Sequence, residues 1–177
     1  MDAPYAPLAS RPTTRRQLLG AAGLLALAGS GAFLWTRSQA AQADIDRSTF
    51  PYRLSDAEWR QRLTPMQYYV LRQAGTERPY THPLDRERRV GTFACAGCAL
   101  PLFASTAKFD SGTGWPSFNA PLANAAQTST DYVLGYPRVE AHCRRCGGHQ
   151  GHVFEDGPAP TGQRWCINGA ALSFTPA

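Results

Sequence analysis

Apolar positions along this chain come in short runs cut by glycine and proline. Val90 to Phe93, Leu100 to Phe103, Tyr132 to Leu134, Arg138 to Ala141, His152 to Phe154, Arg164 to Asn168 and Ala171 to Phe174 read as strands. Ahead of them, Ser55-Asp-Ala-Glu58 has the spacing of a capping box. Thr64-Pro65 supplies a second helix start, and that helix is expected to run through MQYYVLRQA to Gly75. Many short strands with turn residues between them and two early helices predict a mainly β, antiparallel domain with peripheral helices.

The stretch Glu140 to Phe174 carries most of the chemistry: a Cys-x2-Cys pair (Cys143, Cys146), a His-x2-His pair (His149, His152) and Cys166. Seven glycines and prolines lie between Gly147 and Gly162, so it is expected to bury little apolar surface and to be held by metal bonds or tight loop contacts. Cys95-Ala-Gly-Cys98 and Cys143-Arg-Arg-Cys146 form two knuckles. Two residues between thiols let both sulfurs face one point, and two such pairs complete a tetrahedral zinc site. Disulfides between the knuckles are the alternative.

Cys166 is then left over, either a small buried hydrophobe or a reactive thiol. Alternation along Gln163 to Asn168 puts Arg164, Cys166 and Asn168 on one face, with Trp165 and Ile167 on the other. A guanidinium and an amide beside a thiol favour the thiolate, and two histidines offer protons near neutral pH. In FDSGTGWPSF, Gly112, Gly114 and Pro116 fix Trp115 either as a core plug or as the apolar wall of a pocket.

The uncharged run Gln17 to Thr36 follows Arg15-Arg16 directly and ends near Ala41-Gln42-Ala43. This is the pattern of a twin-arginine export signal over 1–43, which places the domain at 44–177 in the periplasm or outside the cytoplasm. Four glycines (20, 23, 29 and 31) make the run weakly apolar for a span; retention as an uncleaved anchor is the alternative, so membrane contact is expected only through the leader. Residues 44–177 hold 14 basic against 12 acidic side chains, a balance that gives nucleic acid nothing to bind. Nothing in the sequence demands a partner subunit, and a monomer is expected.

With these residues in view, the chain resembles the B-type peptide-methionine (R)-S-oxide reductases. The likeness rests on TPMQYYVLRQAGTERPY, the two knuckles, LFASTAKFDSGTGWPSF and HQGHVFEDGPAPTGQRWCINGAALSF, in that order from about Leu54 to Phe174. The resemblance implies two antiparallel sheets, a structural Zn2+ held by Cys95, Cys98, Cys143 and Cys146, and reduction of methionine-R-sulfoxide, free or within proteins. It further implies that Cys166 is the nucleophile. His149, His152 and Asn168 match donor and substrate-orienting positions, and Arg164 matches one beside the thiolate. Trp115 matches the wall for the substrate methyl, Phe154 adds to that wall, and Asp156 orients Arg164 or a histidine. One departure matters. Thr113 stands where many members carry a resolving cysteine, so the sulfenic acid left on Cys166 is expected to be reduced by an external thiol or a thioredoxin-like protein. The stretch Thr130 to Val139 also diverges from the family pattern. A non-enzymatic zinc-ribbon module is the competing reading; it accounts for the knuckles but not for Cys166 and its neighbours.

Overall fold

The structure, a computed structural model, describes residues 46 to 177. The export signal expected at 1–43, its cleavage site and the domain boundary at 44 lie outside the described residues. Both helices begin where their caps predict. In α1 (Asp56–Arg62), Ser55 N–H donates to Glu58 Oε2 at 2.7 Å while the Ser55 hydroxyl accepts from Glu58 N. In α2 (Pro65–Gln73), Thr64 and Gln67 form the same reciprocal pair. α2 stops short of Gly75 because Ala74 itself turns left-handed, at φ 49°. Gly75 is required for closeness instead: a Cβ there would sit 2.3 Å from the Tyr69 ring.

The strands pair into two antiparallel sheets. The smaller has the order β2 (Pro101–Ala104), β1 (Gly91–Cys95), β9 (Leu172–Pro176). The larger runs β3 (Lys108–Phe109), β4 (Ser117–Phe118), β8 (Arg164–Ile167), β7 (His149–Phe154), β6 (Arg138–Cys143), β5 (Ala126–Asp131). Aromatic side chains join the two. Phe93 and Phe103, opposite each other on β1 and β2, meet Phe118 of the larger sheet at ring distances of 5.0 and 4.2 Å. Trp165 packs beside Phe103 at 6.2 Å. Each fully buried phenylalanine contributes about 1.5–3 kcal/mol by leaving water. Because Trp165 and Ile167 point into this core, the alternating Cys166 faces away from it.

Two expectations from the sequence fail here. Tyr132 to Leu134 is not a strand but the loop after β5; the strand is the polar segment before it, AQTSTD, which pairs with β6 through its backbone and through the polar side-chain pairs Ser129–Glu140 and Asp131–Arg138. Gly135 (φ 81°) and Pro137 turn the chain instead of extending the apolar run. The segment from Glu140 to Phe174 also buries far more than its glycines suggest. Ala141, Cys143, Cys146, Trp165, Ile167 and Leu172 are all core residues. Glycine serves pairing here: a Cβ on Gly151 would lie 2.0 Å from the Cys166 carbonyl, so only glycine lets β7 and β8 close.

Candidate functional site

A cavity of about 150 Å3 opens on the outer face of the larger sheet, lined by Thr76, Trp115, Arg138, Gly151, His152, Phe154, Cys166 and Asn168. Ladder register brings the centre together: Cys166 lies opposite His152 on β7 and opposite Ser117 on β4. Cys166 is partly exposed and unbridged. The Thr113 hydroxyl is 4.0 Å from its sulfur, and Ser111 Oγ connects Thr113 (2.8 Å) to Ser117 (2.7 Å), so a chain of hydroxyls flanks the thiol.

Each histidine is aimed by a carboxylate. His152 Nε2 donates to Asp131 Oδ2 at 2.7 Å, leaving Nδ1 as its other ring nitrogen. His149 sits behind it, almost wholly buried, its ring 5.3 Å away and roughly edge-on. Its Nδ1 donates to Glu140 Oε1 at 2.6 Å, and its Nε2 is buried without a hydrogen-bond partner. His149 is therefore not part of the cavity wall, although the sequence groups it with His152. Burial holds His152 below the ordinary histidine range, against the opposing pull of Asp131, so its neutral ring is favoured. Burial alone would raise Glu140 and Asp131. The hydrogen bond and charge of His149 bring Glu140 below its usual value, and a backbone N–H, His152 and Arg138 do so for Asp131.

Arg164 reaches Asp156 through two bonds of 2.8 Å and stacks over Phe154 at 4.4 Å. Arg164 pulls Cys166 toward the thiolate, as the sequence suggests, but burial outweighs it. Burial raises the Cys166 thiol above its ordinary value, and the Arg164 charge with the Thr113 and Ser117 hydroxyls offsets only part of that. The sign is testable. Alkylation of Cys166 by iodoacetamide, followed by peptide mass mapping, is expected to speed up with pH through a midpoint above that of an ordinary cysteine thiol. Arg164→Ala should move the midpoint higher still, and a midpoint below neutrality overturns this account of the thiol.

Glu77, which the sequence analysis passed over, ties the two sides of the cavity together. Its buried carboxylate accepts from Gly169 N (2.5 Å) and Ala170 N (2.9 Å), and its carbonyl accepts from Trp115 Nε1 (3.1 Å). Its own N–H donates to Asn168 Oδ1 at 2.9 Å. Asn168 Nδ2 donates to the Gln150 carbonyl at 3.0 Å, so one amide proton of Asn168 is left for a ligand. Asp131, Glu140 and Glu77 went unnoticed because each acts from a different strand or loop, and only the fold brings them to the histidines and to Asn168. Glu140 was the most legible, since alternation along β6 places it on the face of Arg138.

The four remaining cysteines form a second centre. Their sulfurs all lie within 4.8 Å of one another, with Cys95 to Cys146 at 3.7 Å and Cys98 to Cys143 at 3.5 Å. A tetrahedral zinc with bonds of about 2.3 Å spaces its sulfurs by roughly 3.8 Å, whereas a disulfide needs about 2.05 Å. The residues fit a metal and not a pair of disulfides. Four arginines surround the knuckles through backbone carbonyls: Arg47 to Gly147, Arg62 to Gly97, Arg72 to Cys146 and Arg145 to Cys98, at 2.8 to 3.3 Å. That shell suits a cluster whose net charge is negative, as four thiolates around a divalent cation would be.

Residues 63–176 match the family model described as the SelR domain. Among curated proteins, the chain is 52% identical over 123 residues to a peptide methionine sulfoxide reductase MsrB of Agrobacterium fabrum, covering 69% of this chain and 91% of the relative. It is 54% identical over 123 residues to the protein of that name from Thiobacillus denitrificans, covering 69% and 93%. With the one from Burkholderia cenocepacia it shares 52% over 133 residues, covering 74% and 93%.

Proposed function

Because this chain belongs to the MsrB family of peptide methionine sulfoxide reductases, we propose that it reduces methionine-R-sulfoxide to methionine with Cys166 as the nucleophile. The observation that carries this reading is a partly exposed thiol on the floor of a small cavity lined by Trp115, Phe154 and the carboxylate-held imidazole of His152. Trp115 and Phe154 take the apolar methyl end of the substrate, and His152 with Asn168 faces its oxygen. The Cys166 thiolate attacks the sulfoxide sulfur. Negative charge then grows on the sulfoxide oxygen, where His152 and the free Asn168 proton stabilise it. Burial favours a neutral His152, so the proton it delivers has to be drawn in as that charge develops. His149, held by Glu140, supports His152 from behind. Arg164, clamped by Asp156, contributes positive charge beside the thiolate. The oxygen ends on Cys166 as a sulfenic acid, and methionine leaves with the sulfur lone pair restored.

Among the described residues the other four cysteines are committed to the metal cluster, and Thr113 beside Cys166 cannot form a disulfide. An external thiol or a thioredoxin-like protein therefore returns Cys166 to its reduced state: one thiol displaces water from the sulfenic acid, and a second releases Cys166. Zinc in the cluster would act as a structural crosslink, remote from the chemistry. The chain works as a monomer, delivered across the cytoplasmic membrane by its twin-arginine leader. A non-enzymatic zinc-ribbon module has no use for the cavity, and the family match leaves it unsupported.

One experiment tests the central step. The protein is mixed with a peptide carrying methionine-R-sulfoxide, without reductant, and Cys166 is mass-mapped. The expected product is one added oxygen on Cys166 per methionine formed, with none from the S epimer. A disulfide from Cys166 to another cysteine of the chain as the main product overturns the direct-reduction step. Absence of methionine overturns the activity.

A further inference from the structure

Three hydroxyls lie beside Cys166, and the direction in which each donates follows from counting protons. A hydroxyl has one proton to give and two lone pairs to accept with. Ser117, wholly buried on β4 opposite Cys166, bonds to the Trp115 carbonyl at 3.1 Å. A carbonyl only accepts, so that bond takes the Ser117 proton. Ser111 Oγ lies 2.7 Å from Ser117 Oγ, and Ser111 must be the donor there. With its proton committed, Ser111 can only accept at its 2.8 Å contact with Thr113 Oγ1. It also accepts from Thr113 N at 3.4 Å, which uses its second lone pair. Thr113 therefore gives its proton to Ser111. At its 4.0 Å contact with Cys166 Sγ it is left as the acceptor, with the thiol S–H as the donor. One direction satisfies every bond: Cys166 to Thr113, to Ser111, to Ser117, to the Trp115 carbonyl.

That order suits a neutral thiol. A thiolate has no proton to give and needs donors around it. The Thr113 proton reaches the sulfur without losing Ser111 only if all three hydroxyls turn together. Ser117 then donates to Ser111, Ser111 to Thr113, and Thr113 to the anion. The bond given up is the one to the Trp115 carbonyl, at 3.1 Å the longest between a hydroxyl and its oxygen partner in the chain. The backbone has no need to move. Tyr80 N donates to the Gly114 carbonyl at 2.7 Å, and the Tyr80 hydroxyl donates to the Gly112 carbonyl. Gly112 N donates to Asp110 Oδ1 at 3.0 Å, and Trp115 Nε1 donates to the Glu77 carbonyl at 3.1 Å. None of these bonds uses a hydroxyl of the chain, so the segment stays in place while the protons rotate.

Resting on the assignment of Cys166 above, we propose that Thr113, Ser111 and Ser117 form a proton-ordered chain that accepts from the Cys166 thiol and reverses to donate when the sulfur becomes an anion. Thr113, in contact with the reacting sulfur, is a catalytic residue; Ser111 and Ser117 are positioning residues that act through it. The titratable and charged groups facing Cys166 from elsewhere are Arg164 of β8, held by Asp156, His152 of β7, held by Asp131, and Arg138 of β6. The segment SGTGWPS, 111 to 117, brings hydroxyls to the thiol and no charge.

The order predicts opposite effects from deleting its first and second members. The pH midpoint of Cys166 alkylation by iodoacetamide reads both, without any turnover. Thr113→Val removes the donor to the anion and should raise the midpoint by about half a pH unit, what one hydrogen bond is worth. Thr113→Ser should return it to the wild-type value. Ser111→Ala frees the Thr113 proton for the sulfur with no other bond lost, and should lower the midpoint by a similar amount. If the hydroxyls act only by making the surroundings polar, Ser111→Ala raises it instead. A raised midpoint in Ser111→Ala, or an unmoved one in Thr113→Val, overturns the chain. Should Thr113→Val fail to fold, the sign at Ser111 decides alone. Single-turnover methionine formation from an R-sulfoxide peptide at pH 7 should fall about threefold in Thr113→Val and rise about threefold in Ser111→Ala, following the thiolate fraction. Rates that ignore shifted midpoints refute the chain's part in the reaction. Absence of turnover in wild type sinks the reductase reading, and the alkylation midpoints still decide the proton order.

Discussion

Cys166→Ser is expected to reduce sulfoxide turnover by at least about 10^4-fold while leaving a folded protein with its full metal content. Removal of a nucleophile in other enzymes costs up to about 10^6, because no other group can take over its covalent role. Serine cannot replace a thiolate here: its hydroxyl is far less acidic than a thiol, and an oxygen nucleophile cannot accept the sulfoxide oxygen as a sulfenic acid does. The fold should barely register the change. Cys166 faces away from the aromatic core, which is formed by Trp165 and Ile167 on either side of it, and the Thr113 and Ser117 hydroxyls can bond to serine as readily as to sulfur. A stability change within about 1 kcal/mol is anticipated. Binding of a methionine-R-sulfoxide peptide, followed by calorimetry, should persist. Residual turnover above about one per cent of wild type removes Cys166 from the centre of the reaction.

The grouping of the four knuckle cysteines and the outward face of Cys166 were easier to read in the sequence than the contacts around them. Cys166 and the four knuckle cysteines are legible because their chemistry depends on residue type and local spacing, and β8 alternates as its composition demands. Capping boxes are similarly local, and both helices begin where Ser55 and Thr64 place them. What stayed hidden is long-range. Glu77 lies 91 residues from Asn168, and Asp131 lies 21 from His152, so no window along the chain reveals either bond. Burial was hidden for the same reason. From sequence, Arg164 beside Cys166 predicts a stabilised anion; in three dimensions the surrounding sheet removes enough water to reverse the net effect. The loop at 132 to 136 misled in the other direction. Its apolar residues look like a strand because the pattern of a buried strand and that of a sticky loop are alike until the pairing partner is known.

The second large effect is expected at the four-cysteine cluster. Cys95→Ser should release the metal and lower stability by about 4 kcal/mol or more, roughly a 12 °C fall in Tm for a domain of this size. Structural zinc in small modules contributes about 10–16 kcal/mol, of which a larger core needs only part. The reason lies in where the knuckles attach. Cys95 ends β1 in the smaller sheet and Cys143 ends β6 in the larger, so the cluster fastens the two sheets in addition to the aromatic contact of Phe93, Phe103 and Phe118. Loss of the cation also strands the charges arranged around it. Arg72 and Arg145 would still point at the Cys146 and Cys98 carbonyls with no anionic cluster beneath them. None of the four cluster cysteines lines the cavity around Cys166, so any fraction that remains folded in the cold should keep most of its turnover per molecule. Metal analysis and thermal unfolding decide the matter together. Unchanged zinc content would show that three sulfurs suffice, and zinc loss without a fall in Tm would strip the cluster of its structural role.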